Sequence, residues 1–344
     1  MKILIIKLAS LGDVLHATPL VRSLASSHEV YFLTFKGHEK LLMNNPHLKR
    51  VFTLHQMDSW MVLPWRLVLN ALVILRLCFA RIDISINLHK KYILNKLMKG
   101  IGIKNRFGLL KEGDDSSEAG LSDGIVFNQK EHHILQHLKF AELCKTAPRG
   151  TAMEYVPCQR KMILPVQAPY MVLCAGGGKN KWASMSNKVW PKENFVELIR
   201  MLGETVQVVL IGGSQDLALH QESIRTLSPR TVHDFTNQLD FDELFYLIKG
   251  SKLYLGNDSF LLHFASTTNV STLGLFGPTK GTLLSPLGAR DYFIQSSADC
   301  SPCYDANQAL QSSSYSCADN QCMKQLSVKT VYEKVGSILT IPEG

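Results

Sequence analysis

A polar segment in the second half of the chain has residue types that suit the binding of an anion. The stretch YLGNDSFLLHFAS, residues 254–266, starts as an apolar strand and turns polar at Asn257, Asp258 and Ser259. Asp and Ser are good helix N-caps, so capping alone accounts for them. A helix that begins there, with His263 one turn inside it, would also present free N–H groups and a favourable dipole to a phosphate. Both interpretations fit this stretch.

The loop after the first strand pattern holds a carboxylate that could act as a base. KILIIK, residues 2–7, has the pattern of a buried strand, and the loop Leu8–Asp13 follows it directly. Ser10 and Gly12 lie in this loop, where Gly12 allows a close approach of the backbone. Asp13 either caps the next helix or removes a proton from a sugar hydroxyl as a general base.

Other strand ends in the second half also carry groups that suit phosphate. Gly177 lies in a run of three glycines after the strand pattern 169–175, Gly213 ends the pattern 206–213, and Lys188 precedes a helix start. The chain has no Walker A loop and no G-x-G-x-x-G, which argues against a nucleotide hydrolase and a nicotinamide dehydrogenase. Ligands of open α/β sheets bind beyond the carboxyl ends of the strands, so these groups together favour a nucleoside diphosphate.

The elements that must position these residues alternate between strand and helix patterns, which is typical of α/β architecture. In the first half the patterns predict strands at 2–7, 30–35, 50–54, 82–88 and 105–109, and helices at 13–26, 38–44 and 131–146. In the second half they predict strands at 169–175, 206–213, 252–258 and 270–277, and helices from 190 and at 241–251. Prolines and a glycine interrupt residues 147–168, which predicts a linker there between domains 1–157 and 168–344.

Length and composition support two globular domains with an anionic partner. The chain has 344 residues, of which 46% are hydrophobic and 19% charged, and its net charge is +8. A basic balance suits phosphates, acidic glycans, nucleic acid or a membrane surface. No basic block is interleaved with aromatic residues, so we expect no nucleic-acid partner. The first residues lack the apolar length and cleavage site of a signal peptide.

Residues 61–80 are the most membrane-like stretch, but polar residues interrupt them too often for a spanning helix. On a helical wheel Arg66, Asn70, Arg76 and Arg81 share one broad face. The stretch predicts a surface helix packed on the core through its apolar face, or a basic amphipathic helix resting on anionic lipid.

Four of the eight cysteines cluster near the C-terminus, at Cys300, Cys303, Cys317 and Cys322. Without a secretion signal, a disulfide framework is not expected. The spacing only approximates that of a zinc site, so we expect unliganded thiols and no metal.

Several motifs, in order along the chain, resemble bacterial heptosyltransferases of glycosyltransferase family 9. KILIIKLASLGDVLHATPLVRSL and LYLGNDSFLLHFASTTNVSTLGLFGPT resemble the two hallmark segments of that family. IDISINLHKK, NRFGL, NKVWP and the late cysteine-rich stretch also resemble segments of its members. The resemblance covers about residues 1–335.

The resemblance implies a GT-B fold, in which two Rossmann-like domains face a cleft, and inverting transfer of a heptose from ADP-L-glycero-D-manno-heptose to the inner core of lipopolysaccharide. It implies that Asp13 is the catalytic base. The donor-binding residues that follow from it are Lys188, Asp258, Ser259, His263 and Thr279, with the strand-end glycines Gly177 and Gly213. Lys188 would contact the diphosphate of the donor.

The acceptor implied by the family is an acidic, lipid-linked glycan, such as Kdo-bearing lipid A or a heptosylated core. Ser10, Gly12, Lys90 and Arg106 are the acceptor-side residues that we predict. Lys7 and Lys91 are further basic residues that could face the acceptor or only solubilise the surface. We expect neither a metal nor a cofactor. The expected location is the cytoplasm, with or without peripheral contact at the inner membrane.

Two departures from the family pattern keep other functions open. Position 260 is Phe where the family usually has Gly, and the loop 177–187 is longer than usual before the Lys-x-Trp-Pro element. Phe260 could narrow the phosphate site or shift the preference for the donor. The alternatives are a GT-B glycosyltransferase that uses another nucleotide-activated sugar, and an inactive GT-B-fold binding protein.

Overall fold

The chain forms two compact units, Met1–Val156 and Pro157–Gly344. The structure, a computed structural model, describes residues 1–56, 63–158, 166, 169–177, 186–224, 227, 231–304, 317 and 319–340. Residues 159–165, 167 and 168 of the predicted linker lie outside this range, as do residues 178–185 of the loop before Lys188. Each unit contains its own parallel sheet.

The sheet of the first unit consists of six parallel strands. They are β1 (Lys2–Ile6), β2 (Glu29–Phe35), β3 (Leu48–Leu54), β4 (Ile84–Asn87), β5 (Asn105–Leu110) and β6 (Asp123–Val126). Their order in the sheet is β3-β2-β1-β4-β5-β6. In β1 the residues Ile3–Ile6 are all buried, as expected for a strand covered on both faces.

The helices of the first unit connect these strands. They are α1 (Leu11–Leu15), α2 (Thr18–Leu24), α3 (Leu63–Ala80), α4 (Ile93–Gly100) and α5 (His133–Leu143), and His38–Leu41 form a 3₁₀ turn. The helix predicted at 13–26 is thus two helices. Pro19 lies in the first turn of α2, where its missing N–H costs nothing, whereas inside a continuous helix it would break a hydrogen bond.

The sheet of the second unit is also parallel and six-stranded. Its strands are β7 (Tyr170–Cys174), β8 (Gln207–Leu210), β9 (Val232–Asp234), β10 (Tyr254–Asn257), β11 (Thr272–Phe276) and β12 (Asp291–Gln295). Their order is β12-β11-β10-β7-β8-β9. The helices are α6 (Lys192–Leu202), α7 (Leu217–Ile224), α8 (Phe241–Lys249), α9 (Phe260–Ser266), α10 (Gly281–Leu284), α11 (Gln321–Lys324) and α12 (Val328–Leu339).

Trp190 anchors the segment that leads into α6. Its side chain is fully buried, with its ring edge-on to Phe195 at 4.8 Å. Its indole N–H donates to the carbonyl of Leu326 at 2.8 Å, and its backbone N–H donates to Oδ1 of Asn257 at 3.0 Å. The side-chain amide of Asn257 in turn donates to the carbonyl of Ala175. These bonds tie the segment that carries Lys188 to the ends of β7 and β10.

The sequence patterns did not predict the strands β6, β9 and β12. All three lie at an edge of their sheet, and most of their residues are only partly buried. Edge strands do not need the continuous apolar run by which buried parallel strands are recognised.

The sequence pattern predicted that the polar face of helix α3 points towards solvent, but in the structure Arg66 and Asn70 on that face bond the chain beneath the helix. The side chain of Asn70 bonds both backbone groups of His55, at 2.7 and 3.0 Å, and Arg66 donates to the carbonyl of Gln56. Leu77 is buried against the core of the first unit. Within the described parts of the chain, no helix combines the length and apolarity that crossing a bilayer requires.

Candidate active site

In the first unit, the loop that carries Asp13 lies at a switch point of the sheet. Strand β1 lies between β2 and β4, so the connections that leave β1 and β4 diverge to opposite sides. Such a divergence opens a crevice at the carboxyl ends of the strands, which is where ligands of α/β sheets bind. The loop after β1 leads to Asp13, and the loop after β4 contains His89.

Asp13 lies in the first turn of α1, and Ser10 is the N-cap of that helix. The Ser10 hydroxyl donates to Oδ2 of Asp13 at 2.6 Å and also accepts the backbone N–H of Asp13 at 3.3 Å. The capping role considered for Asp13 therefore belongs to Ser10. The side chain of Asp13 is 36% exposed, so the carboxylate can be reached from solvent.

Lys7 lies directly beneath this carboxylate. Its ammonium is 3.5 Å from Oδ1 of Asp13 and donates to the carbonyl of Leu88 at 3.1 Å. Lys7 is buried and does not reach outward to an acceptor, contrary to expectation, because it is the residue immediately after β1. Burial alone would raise the pKa of Asp13, but Lys7 and the hydrogen bond from Ser10 outweigh it and hold this pKa well below its usual range. Asp13 is therefore ionised at any physiological pH.

Histidines that are uncharged at neutral pH surround the Lys7–Asp13 pair. Burial and the charge of Lys7 lower the pKa of His89 to about 3 and that of His133 to about 4. Burial likewise lowers the pKa of His137, whose Nδ1 lies 3.1 Å from the carbonyl of His16. Nε2 of His89 accepts the backbone N–H of Leu8 at 2.6 Å, so the neutral imidazole helps to hold the loop that leads to Asp13.

We expect these histidines to make the protein less stable as the pH falls below about 6.5. A histidine of the unfolded chain takes up a proton near that pH, whereas folded His89 resists protonation down to about 3. Its stabilising contribution is therefore complete above pH 6.5 and is lost as the pH falls towards 3. His89→Gln keeps an acceptor for Leu8 but does not titrate, so its melting temperature should fall less between pH 7 and pH 4.5. Equal slopes for the variant and the wild type, measured by circular dichroism, would contradict this.

The structure brings Lys90 to the carboxyl edge of the first sheet but does not bring Arg106 there. The ammonium of Lys90 lies 3.9 Å from the centre of the Phe127 ring. Arg106 is the second residue of β5 and lies at the amino end of that strand. Its guanidinium donates to the carbonyls of Ile103, Lys104 and Gly120. Arg106 therefore ties loops together at the opposite edge, away from the residues with which it was grouped in the sequence analysis, and its contact with an acceptor stays a prediction.

The second unit has its own switch point, between β7 and β10. The predicted donor residues meet there in a cluster of four side chains, which we call the Asp258 cluster: Lys188, Asp258, His263 and Thr279. The Lys188 ammonium and the Thr279 hydroxyl both lie 2.7 Å from Oδ2 of Asp258 and donate to it. Nε2 of His263 lies 3.8 Å from Oδ1. The carboxylate of Asp258 is thus contacted by side chains from the segment before α6, from the loop after β11 and from helix α9.

Asp258 is a positioning group in this cluster. Its side chain is only 6% exposed, and both Lys188 and Thr279 use the same oxygen. Burial alone would raise the pKa of Asp258, but the charges of Lys188 and His263 outweigh it and lower this pKa. An ionised carboxylate repels other anions, so what Asp258 contributes here is to hold the Lys188 ammonium in place. The side chain of Lys188 is 17% exposed, and its ammonium lies 5.7 Å from the centre of the Tyr304 ring.

Ser259 occupies the N-cap position of α9 without capping it. Its side chain accepts no hydrogen bond from the helix, and its buried hydroxyl has no partner among the described atoms. Gly177 lies against it with φ of +104°, and a Cβ at Gly177 would be 2.5 Å from Cβ of Ser259. Only glycine fits this conformation and this distance. The loops after β7 and β10 therefore meet at the start of α9.

Asp216 is a residue of this site that the sequence patterns did not reveal. Its carboxylate is buried and accepts the backbone N–H of Gly177 at 3.2 Å and that of Gly213 at 2.9 Å. A Cβ at Gly176 would lie 1.9 Å from Oδ1 of Asp216. Gly177 and Gly213 thus give their N–H groups to Asp216, which holds the two glycine loops in place. The sequence signal was an Asp three residues after the Gly-Gly end of a strand.

Phe260 is accommodated by an aromatic cluster. Its ring lies 5.7 Å from that of Phe241 and 5.5 Å from that of Phe264. The Phe260 side chain therefore packs between α8 and α9.

Among the described residues, no group of three or more His, Cys, Asp or Glu side chains is arranged to hold a metal ion. Cys300, Cys303, Cys317 and Cys322 are free thiols, and burial raises the pKa of Cys322 to about 11. The segment 305–316 between them lies outside the described range.

Comparisons with known proteins agree with this architecture. The family model for glycosyltransferase family 9 (heptosyltransferase) matches residues 81–313. A lipooligosaccharide heptosyltransferase 2 of Campylobacter jejuni is 24% identical over 221 residues, which are 62% of this chain and 66% of that protein. The chain thus spans just under two thirds of the length of that curated relative.

Two solved structures share the fold over nearly the whole chain. The Escherichia coli ADP-heptose lipopolysaccharide heptosyltransferase II has a TM-score of 0.74 and 18% identity, with 99% of both chains covered. An E. coli heptosyltransferase with ADP-2-deoxy-2-fluoro heptose has a TM-score of 0.73 and 16% identity, with 98% of this chain and 99% of that one covered. The predicted α/β fold of two Rossmann-like units, GT-B, is confirmed.

Proposed function

The chain belongs to glycosyltransferase family 9, and from this premise we propose that it transfers a heptose from ADP-L-glycero-D-manno-heptose to the inner core of lipopolysaccharide. The acceptor is Kdo-lipid A or an already heptosylated core. The observation that carries this proposal is the Lys188–Asp258 ion pair of 2.7 Å at the switch point of the second sheet. It holds a cation where α/β sheets bind phosphates.

The second unit binds the donor. Lys188 is held by Asp258 through one N–H, and its remaining N–H groups are available to an oxygen of the diphosphate. The backbone N–H groups at the start of α9 add a favourable dipole, because no side chain caps them. As the bond from the anomeric carbon to the diphosphate breaks, these groups stabilise the charge that grows on the leaving ADP.

Asp13 of the first unit acts as the general base. The acceptor oxygen forms a bond to the anomeric carbon from the face opposite the leaving diphosphate, so the configuration is inverted. The hydroxyl proton passes to the Asp13 carboxylate, which Ser10 orients and Lys7 keeps ionised. Because the pKa of Asp13 is low, the proton transfers late, after bond formation has made the hydroxyl more acidic.

The acidic acceptor binds on the first unit, near the loops after β1 and β4. Lys90 lies at that edge, and Lys91 beside it is exposed. Both cations can attract carboxylates or phosphates of an acidic glycan. The protein works in the cytoplasm, contacts the inner membrane peripherally, and has no nucleic-acid partner.

A screen of the purified chain against nucleotide sugars tests this function. ADP-heptose, UDP-sugars and GDP-sugars are each incubated with a deacylated, truncated lipopolysaccharide, and the products are analysed by mass spectrometry. We expect one heptose to be added from ADP-heptose alone. Transfer from a UDP- or GDP-sugar would show that the donor is that nucleotide sugar and not ADP-heptose. Binding of ADP without any transfer would indicate an inactive binding protein.

A further inference from the structure

Helix α3 turns its apolar side outward. Six large apolar residues lie within one third of its circumference and are exposed, and we call them the α3 outer face: Trp65, Val68, Leu69, Leu72, Leu75 and Phe79. Trp65 is 75% exposed and Phe79 78%. The polar residues Arg66 and Asn70 point inward and bond the two residues that follow β3. A surface helix normally has the opposite arrangement, so this face marks a contact site.

Positive charge accompanies the α3 outer face. Residues 63–82 contain no Asp or Glu, and Arg76 is exposed among the apolar side chains. Beside the helix, a shallow groove is lined by Arg50, Phe52, Val73 and Arg76. Two guanidinium groups at the rim of an apolar surface complement anionic head groups, while their stems lie along the apolar region.

A second copy of the chain fits this face less well than a lipid surface. A two-fold dimer would pair the same patch on both copies and bring the Arg76 side chains of the two copies near each other. A bilayer instead accepts the apolar side chains into its interface, and tryptophan is favoured at that depth. The arrangement of charge and apolar area therefore selects an anionic bilayer.

The first turns of α3 lie at the same edge of the first sheet as the proposed acceptor site, whereas Arg76 lies beside Arg50, near the amino end of β3. The first turns of α3 are bonded to residues 55 and 56, just beyond the carboxyl end of β3. The carboxyl ends of parallel strands share one edge of a sheet, and Asp13 follows the carboxyl end of β1 at that edge. A bilayer against α3 would therefore lie on the side of the unit from which a lipid-linked acceptor could reach Asp13.

We propose that the α3 outer face inserts into the interface of an anionic bilayer, with Arg50 and Arg76 on lipid phosphates. The proposal assigns a surface to the peripheral membrane contact that is part of the proposed function, and in that respect it rests on the proposed function. The test below uses neither donor nor acceptor, so its failure and the failure of heptose transfer are distinguishable.

Sedimentation of the full chain with lipid vesicles tests the proposal. We expect binding to vesicles of phosphatidylethanolamine and phosphatidylglycerol, and weaker binding to phosphatidylcholine. W65Q/L72Q/F79Q should reduce the partition coefficient by about tenfold or more. R50Q/R76Q should weaken binding to the anionic vesicles by about tenfold or more and abolish the preference for them. Met201→Gln, which changes a 42% exposed residue on α6, is the matched control and should bind as the wild type does.

A measurement on the wild type guards against variants that fail to fold. Brominated lipids quench tryptophans that enter the bilayer, so vesicles that contain them should reduce the emission of the wild type more than that of Trp65→Gln. The proposal is overturned if the wild type binds no vesicle, or if W65Q/L72Q/F79Q binds as well as Met201→Gln. A concentration-dependent dimer that the triple variant abolishes, with no vesicle binding, would instead assign the face to a second copy.

Discussion

Asp13→Asn is expected to lower kcat for heptose transfer by about 10²–10⁴-fold, the usual contribution of a general base. The amide cannot take the proton of the acceptor hydroxyl, yet it fills the same space and can still accept the bond from Ser10. Affinity for ADP should not change, because we propose that ADP binds at the Asp258 cluster of the other unit. Steady-state kinetics with ADP-heptose and calorimetric titration with ADP measure the two quantities separately.

Ser10→Ala is the matched control for this experiment. It removes the hydrogen bond to Oδ2 of Asp13 but leaves the carboxylate and the ammonium of Lys7 in place. We expect a much smaller loss of rate, because the base is still present and only less well oriented. If Asp13→Asn retains the wild-type rate, Asp13 is not the base; if Ser10→Ala is as slow as Asp13→Asn, the loss reflects a disturbed loop.

Lys188→Met is expected both to destabilise the second unit and to weaken ADP binding. Without the ammonium, Asp258 remains as a buried charge whose partners among the described residues are Thr279 and His263, which costs about 3 kcal/mol of unfolding free energy. Loss of a charge-assisted bond to the diphosphate corresponds to about a 10- to 100-fold weaker affinity. Urea unfolding and titration with ADP measure the two effects.

The double variant K188M/D258N separates these effects. The neutral amide that replaces the Asp258 carboxylate needs no cation and can still accept the Thr279 hydroxyl, so most of the lost stability should return. ADP binding should stay weak, because the ammonium that we propose to bind the diphosphate is absent. Recovery of both stability and ADP affinity would show that Lys188 serves only to neutralise Asp258.

Much of the fold followed from the sequence because buried parallel strands are continuous apolar runs. β1, β7, β10 and β11 were predicted on this ground, and the switch points then placed Asp13 and the Asp258 cluster at the carboxyl edges of their sheets. The prediction that Lys188, Asp258 and Thr279 belong to one site agrees with their contacts. Their roles towards a donor stay predictions.

Other features depended on neighbours that are distant in the chain. Lys7 and Arg106 look like surface cations in the sequence, but Lys7 contacts Asp13 from below and Arg106 bonds carbonyls at the far edge. Asp216 carries no local signal of its bond to Gly177, 39 residues away. The type of a residue indicates whether its side chain can be charged or form hydrogen bonds. Which group it bonds depends on which strands and loops become neighbours in the fold.

The sequence by itself determined that the chain has two parallel α/β units, because strands buried on both faces must be uninterrupted apolar runs. It also determined which loops follow the carboxyl ends of those strands. Only the tertiary structure decided which groups are charged, oriented or exposed at those edges. The α3 outer face is an example. The helical period of the sequence separates two faces of a helix, but it does not determine which face packs against the core. That choice depends on the segment just after β3, where the backbone groups of His55 bond the side chain of Asn70.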